Sequence, residues 1–243
     1  MIINLIRGEL YKLLRDRGAK LSFIIAIIVA VLMALIFKYQ SNLGGNSNLN
    51  MTGIQAFEAL SGQFMFQNLS FSILAAEFIA KDFEKNTINR TFTYGYSRRN
   101  VIISKLITYF IAVIGVMAIH IVLPTIIISI FNGVGEYEKF SIIGILIISI
   151  FCGIATASIT GMIAIISENI VITIISSVGL YIINGVMSFA FKFIANILPF
   201  NIGQLAISSL QWQIIIIAII SAIATIILTI FIATYKIEGR NIK

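Results

Sequence analysis

The sequence predicts an all-α membrane protein: six transmembrane helices, an N-terminal interfacial amphipathic helix, and short outer re-entrant helices between the fifth and sixth spans. Three observations carry this. Of 243 residues 59% are hydrophobic and 11% charged, against roughly 25% charged in ordinary soluble domains, and the mean hydropathy is +1.02. Apolar runs long enough to cross a bilayer recur along the chain. The Lys and Arg residues gather in a few segments, as membrane topology requires.

The formal net charge of +7 does not point to nucleic acid, because that reading needs a basic face on a soluble module and the chain has none. The single cysteine, Cys152, lies inside an apolar run; it has no intrachain disulfide partner, and a CxxC metal site is excluded.

Residues Met1 to Lys20 form an amphipathic segment. Ile3, Ile6, Leu10, Leu13 and Leu14 follow helical spacing, with Glu9, Lys12 and Asp16 on the other side and Arg7, Arg15 and Arg17 flanking. It carries too many charges to span and is expected to lie in the interface, its basic groups near lipid phosphates. The expected spans are 21–37, 57–80, 106–131, 142–166, 170–191 and 214–235. The second is the least apolar. Ser61, Asn68 and Ser72 recur at helical spacing in it, as do Gln63 and Gln67. Polar groups in a span face protein or a water-filled path, so these residues either glue helices together or wall a substrate route. The third span holds His120 and Pro124, the histidine read as a packed, hydrogen-bonded residue. The fourth carries Gly153, Ala157 and Gly161, a small-xxx-small ladder that lets another helix approach closely. Tyr181, Asn184 and Ser188 give the fifth a mildly polar face. Residues 192–213 are apolar but interrupted by Pro199, Asn201 and Gly203, which fits short helices rather than a further span.

Charge counting orients this array. Five Lys/Arg precede the first span, six lie in 77–105 and three in the tail, whereas only Lys38, Lys139 and Lys192 fall on the other side. Both termini and the 77–105 stretch are therefore expected in the cytoplasm.

The catalytic signatures of intramembrane proteases and hydrolases are absent: there is no HExxH, no GxSxG, and one histidine in the chain. There is no P-loop either, so ATP hydrolysis is not expected of this chain. Glu58 and Glu77 sit near span ends and the third to sixth spans lack a central Asp or Glu, unlike carriers coupled to ion gradients. A transport role would need an external motor.

The water-facing stretch from Glu77 to Lys105 is where such a motor would bind. Thr87 can cap a short helix through about Phe92 or Thr93, Gly95 sits where it should stop, and Ser97 can cap the helix that re-enters the membrane. Arg90, Arg98 and Arg99 would be displayed, and Phe92, Tyr94 and Tyr96 would serve as aromatic anchors in a partner groove. The alternative is a basic loop that merely obeys the positive-inside rule.

The run Glu84-Lys85-Asn86-Thr87-Ile88-Asn89, then Gly95-Tyr96-Ser97-Arg98, then Lys105, resembles the first cytoplasmic loop of ABC-2 type transporter permeases: an acidic residue before Gly-Thr, a short helix, a small residue, Ser-Arg, and a Lys opening the next span. Asn86 stands where that pattern has glycine, and Asn tolerates the left-handed turn. The layout of spans resembles the same family, which implies a single transmembrane domain over 1–243 with a cytoplasmic coupling loop at 81–105. By motif position, the resemblance implies that Glu84, Thr87, Arg90, Phe92, Ser97 and Arg98 seat an ATP-binding cassette subunit, with Glu168 of the short second loop as a minor contact.

Further implications follow from the resemblance alone. They are a second permease chain, identical or homologous, ATP and Mg on the partner subunit with no cofactor bound here, and residence in a bacterial cytoplasmic membrane. Small permeases of this kind resemble those of antimicrobial-peptide and lantibiotic export or immunity, which implies an amphipathic peptide substrate. Lipid-linked or hydrophobic drug substrates, and a non-transporting immunity or interaction protein, stay open beside it. Candidate path-lining residues are Gln63, Gln67, Asn68, Ser72, Tyr181 and Asn184.

Overall fold

The computed structural model describes residues 2–43, 51–93, 95–136 and 139–239, and these are helical almost throughout, with no strand among them. Helix α1 (Ile2–Arg15) and α2 (Arg17–Leu43) are separated by Asp16 alone. The Asp16 carboxylate accepts from the backbone N–H of Gly18 at 2.6 Å and Ala19 at 3.4 Å, satisfying donors that the start of α2 would otherwise leave free. One side chain thus caps the start of α2, the first of the candidate membrane spans.

Five helices are long and apolar enough to cross a membrane: Arg17–Phe37 of α2, α7 (Arg98–Asn132), Ser141–Ser167 of α8 (Lys139–Ser167), α9 (Ile170–Ala190) and α12 (Trp212–Glu238). The second expected span, 57–80, is not one of them, because it is divided. It comprises α3 (Gly53–Ser61), a break at Gly62 and Gln63, α4 (Phe64–Ala75), a π-helical segment (Ala76–Ala80) and α5 (Lys81–Glu84). Gln63 leaves helical geometry at φ −87, ψ 52. Breaks of this kind survive at membrane depth only where protein satisfies the freed backbone. Here the Gln67 side-chain amide donates to the Leu60 carbonyl at 3.0 Å and the Ser149 hydroxyl to the Ser61 carbonyl at 3.3 Å. Of the polar residues that made this span look less apolar, Gln67 is the one that covers its break.

The stretch 81–105 comprises α5, then α6 (Thr87–Thr93), where a short helix was expected, then the first turns of α7. The short helices between α9 and α12 are α10 (Lys192–Ala195) and α11 (Pro199–Ser209). Asn184 of α9 and Asn201 of α11 exchange side-chain amide hydrogen bonds at 2.8 and 3.2 Å. The Ser221 hydroxyl of α12 donates to the Ile197 carbonyl at 2.6 Å.

The small-residue ladder of α8 faces α7. A Cβ on Gly153 would meet the Met117 side chain at 2.3 Å, and one on Gly161 would meet Tyr109 and Leu106 at 3.2 and 3.3 Å. Close packing replaces the hydrophobic effect as the force between helices in lipid, and these two glycines admit it. The Tyr109 hydroxyl completes the seam, bonded to Thr160 Oγ1 and the Phe71 carbonyl, each at 3.0 Å. His120 is likewise packed and bonded, its Nε2 2.9 Å from the Ser70 hydroxyl.

Candidate functional site: the charged end of the bundle

The π-helical segment carries the chain from the apolar bundle to its charged end. Such a segment adds one residue to a turn and re-aims the side chains after it. Glu77 lies within it, and Lys81 and Asp82 follow it. The Glu77 carboxylate occupies the space beside Gly18, where a Cβ would lie 1.9 Å from Glu77 Oε2. Lys81 donates to Glu77 at 2.8 Å and reaches Asp16 at 3.4 Å.

Asp82 is the hub. Its Oδ2 receives both Lys12 of α1 and Lys105 of α7, and its Oδ1 receives the Thr87 hydroxyl of α6 at 2.8 Å. Thr87 also donates to the Asp82 carbonyl at 3.2 Å. Lys105 is 1% exposed, so its charge must be matched within the protein. A second carboxylate, Glu9 of α1 at 3.0 Å, and the Phe78 ring 4.5 Å from its Nζ complete its surroundings. Burial by itself pushes the Asp82 carboxyl up, but the neighbouring Lys105 and Lys12 charges outweigh it and hold Asp82 below the usual carboxylate value. The Lys81 ammonium is raised, first by its hydrogen bond to Glu77 and against a smaller desolvation. Both groups are charged across the neutral range.

The connection from α5 to α7 keeps three of the expected features, whereas Thr87, expected as the cap of α6, is the first residue of that helix and donates its hydroxyl to Asp82. Asn86 takes the left-handed turn at φ 54, Gly95 stops α6 at φ 82, and the Ser97 hydroxyl caps α7 by accepting from Asn100 N–H at 3.3 Å. The exposed Glu84 carboxylate accepts from the Ile170 N–H at 3.1 Å, where α9 begins, and Asn169 accepts from Ile172 N–H at 3.0 Å at the same terminus. A carboxylate at a helix N-terminus meets both free donors and the positive end of the helix dipole. Glu168, half-buried in the turn before α9, has φ 53. Thus Glu84 ties the first polar connection to the second.

Two expected contacts turn inward. Arg98 Nη1 points to the Ile237 and Glu238 carbonyls at 3.4 and 3.5 Å, closing the C-terminal end of α12 as a basic group favours. Phe92 is buried in the chain's own core with Phe83, Ile88 and Val101. Its ring is therefore not the free surface anchor expected, because the alternation that places Ile88 and Phe92 on one face of α6 turns that face to the bundle. Tyr94 and the side chain of Arg90 lie outside the described residues.

The path candidates do not converge. Gln67, Asn68 and Ser72 are buried inside the bundle, and Ser72 is satisfied by the Leu69 carbonyl of its own helix at 2.8 Å. Gln63 is half-buried at the break. Tyr181 is exposed beside a cavity of about 310 Å³ shared with Met65, Phe66, Leu69, Ser177 and Val178. Asn184 is engaged with Asn201. The hub itself was missed as a unit. Its signal was the presence of Glu9 and Asp16 in an N-terminal segment otherwise rich in basic residues.

The described residues form a helical bundle with five helices long and apolar enough to cross a membrane and with one end braced by ion pairs. A family model described as ABC-2 family transporter protein matches residues 5–178, and the chain belongs to that family. No curated protein matches the chain. The matched region runs from within α1 to the first part of α9, and so holds the whole charged hub and the broken span. Proteins of this family are membrane transport components that usually work with an ATP-binding subunit.

Proposed function

We propose that the chain is the transmembrane subunit of an ATP-driven exporter. Two permease chains pair in a bacterial cytoplasmic membrane with both termini inside, and each is served by a separate subunit that binds ATP and Mg. α6 with its flanks, from Glu84 to Arg98, is the seat for that subunit. The broken helix supplies the sixth crossing, and α10 and α11 lie on the outer side as re-entrant elements.

The observation that carries this reading is the attachment of α6. Thr87 is bonded to Asp82, Asp82 to Lys12 and Lys105, and Glu84 to the start of α9. A displacement of α6 is therefore delivered to α1, α7 and α9 together. Packed interfaces respond to such a push by rigid-body rocking rather than gradual deformation. Closure of an ATP-bound motor dimer would supply the push.

The substrate proposed is an amphipathic peptide. The polar groups available inside the bundle are amides and hydroxyls, which suit a ligand of mixed polarity. A lipophilic substrate is the second reading, supported by the apolar lining of the cavity between α4 and α9, where Met65, Phe66, Leu69 and Val178 stand beside Ser177 and Tyr181. The test is co-purification with the ATP-binding subunit encoded beside this chain, followed by ATP hydrolysis with and without added amphipathic peptide. A stable complex with peptide-stimulated hydrolysis is expected. A chain that binds no ATPase is a membrane interaction or immunity protein, and the exporter reading falls.

A further inference from the structure

At the end of the bundle away from the hub, α3 and α11 enclose a polar wedge. One wall is Gln55, Glu58 and Ala59 of α3 with Gly62 just past its end, and the other is Gln204, Ile207 and Ser208 of α11. The cavity measures about 310 Å³. It lies at the end where α3 begins against the end of α7: Gly53 and Ile54 N–H donate to the Gly133 and Val134 carbonyls, each at 3.0 Å. The wedge narrows to Gly62, where an added Cβ would already touch Gln204 Cγ at 3.5 Å.

Glu58 is the wedge's one charge, and among the described residues it has no ion-pair or hydrogen-bond partner. The groups around it are acceptors or can accept. Gln55 is held in place by the capping box with Thr52, its Oε1 accepting from Thr52 N–H at 3.0 Å. The Ser208 hydroxyl spends its proton on the Leu205 carbonyl at 3.1 Å, leaving its lone pairs free. The Gln204 amide is exposed.

We propose that this wedge is a binding site for a primary ammonium group, with Glu58 as its counter-charge and Gln204 and Ser208 as acceptors. An ammonium has three donors and no acceptor, which matches a pocket with one carboxylate and surplus lone pairs. The group is supplied either by a lysine of a basic amphipathic peptide or by the headgroup of an aminolipid. The inference rests on the transporter reading and adds to it the chemistry by which cargo is recognised at the outer end.

The experiment uses the complete chain with its ATP-binding subunit in lipid discs. A fluorescent amphipathic peptide bearing lysines is titrated, alongside the same peptide with every lysine acetylated. Glu58→Gln is expected to weaken the lysine peptide by about tenfold or more, the size of a lost charge-assisted hydrogen bond, to leave the acetylated peptide unchanged, and to be partly rescued by Glu58→Asp. Discs with and without phosphatidylethanolamine separate the two sources. If the headgroup is the ligand, it competes with the peptide in the wild type and not in Glu58→Gln. Equal affinities in wild type and Glu58→Gln, with no dependence on phosphatidylethanolamine, overturn the proposal. If the ATP-binding subunit stays bound in that case, only the wedge falls. If it never binds, the exporter reading falls first.

Discussion

The Thr87 hydroxyl donates to the Asp82 carboxylate at 2.8 Å, and through that bond the short helix α6 hangs from a carboxylate already shared by Lys12 and Lys105. Removing the two ends of this bond should have separable effects. Thr87→Val deletes one hydrogen bond to a charged acceptor, worth about 1.5–3 kcal/mol where buried and less at this exposed side chain. It is expected to lower peptide-stimulated ATP hydrolysis while the melting temperature of the permease moves by only a few degrees. Loss of stability without loss of coupling would remove α6 from the transmission path.

Asp82→Ala should be far more damaging. It leaves Lys105, 1% exposed, with Glu9 alone, and breaking a buried pair costs about 3–5 kcal/mol. The expected outcome is poor yield or a strongly lowered melting temperature in detergent. Asp82→Ala with Lys105→Met, which removes the stranded charge, should recover much of the loss. Failure of the double variant to recover would mean that Lys105 is satisfied by Glu9.

Gly18→Ala places a methyl group 1.9 Å from Glu77 Oε2. The Glu77 carboxylate must swing away and release Lys81, at an overpacking cost of about 1–3 kcal/mol. Glu77→Ala removes the obstacle, so the double variant should be less destabilised than the sum of the singles, by thermal melting. Simple additivity would show that Glu77 does not sit against Gly18.

The pH response of the charged end follows from its two shifted groups. Asp82 is held below its ordinary 3.8, so its contribution is fully present above that value and is lost as pH falls through the lowered one. Lys81 is raised above 10.5, so its contribution is present below 10.5 and lost as pH rises through the raised value. Between about pH 5 and 9 the hub's contribution should therefore be flat. The melting-temperature difference between wild type and Asp82→Asn is the measurement. It should hold constant through that window and shrink only below about 3.8. A difference that varies near neutrality would contradict the assigned ion pairing.

Glu84→Ala should loosen the start of α9. It removes an N-terminal acceptor at 3.1 Å, a change worth about 0.5–2 kcal/mol, and Asn169 remains as the other cap. Faster hydrogen exchange at Ile170 and its neighbours, with exchange in α8 unchanged, is the expected result. No change in exchange would sever the proposed link between the two connections.

The features legible in the sequence were local. A left-handed turn at Asn86, a stop at Gly95 and a cap at Ser97 each depend on a few neighbouring residues and their backbone geometry. Membrane class and charge segregation were also legible, because lipid admits few solutions for the backbone. Phe92 was misjudged for a related reason: an aromatic residue in a polar stretch looks exposed until one knows which face of a seven-residue helix meets the bundle.

Sequence alone thus determined the membrane class, most of the helices, the clustering of cations, the stop at Gly95 and the Ser97 cap. Tertiary structure decided three other things. It broke the second span at Gly62–Gln63, it set Glu84 on α9 and Arg98 on α12, and it chose Asp82 as the meeting point of Lys12, Thr87 and Lys105. The physical reason is separation along the chain. Caps and turns join residues within four positions of one another, whereas Asp82 lies 70 residues from Lys12 and 23 from Lys105. A charge in the sequence states that a partner is needed; which partner it finds depends on how the helices pack.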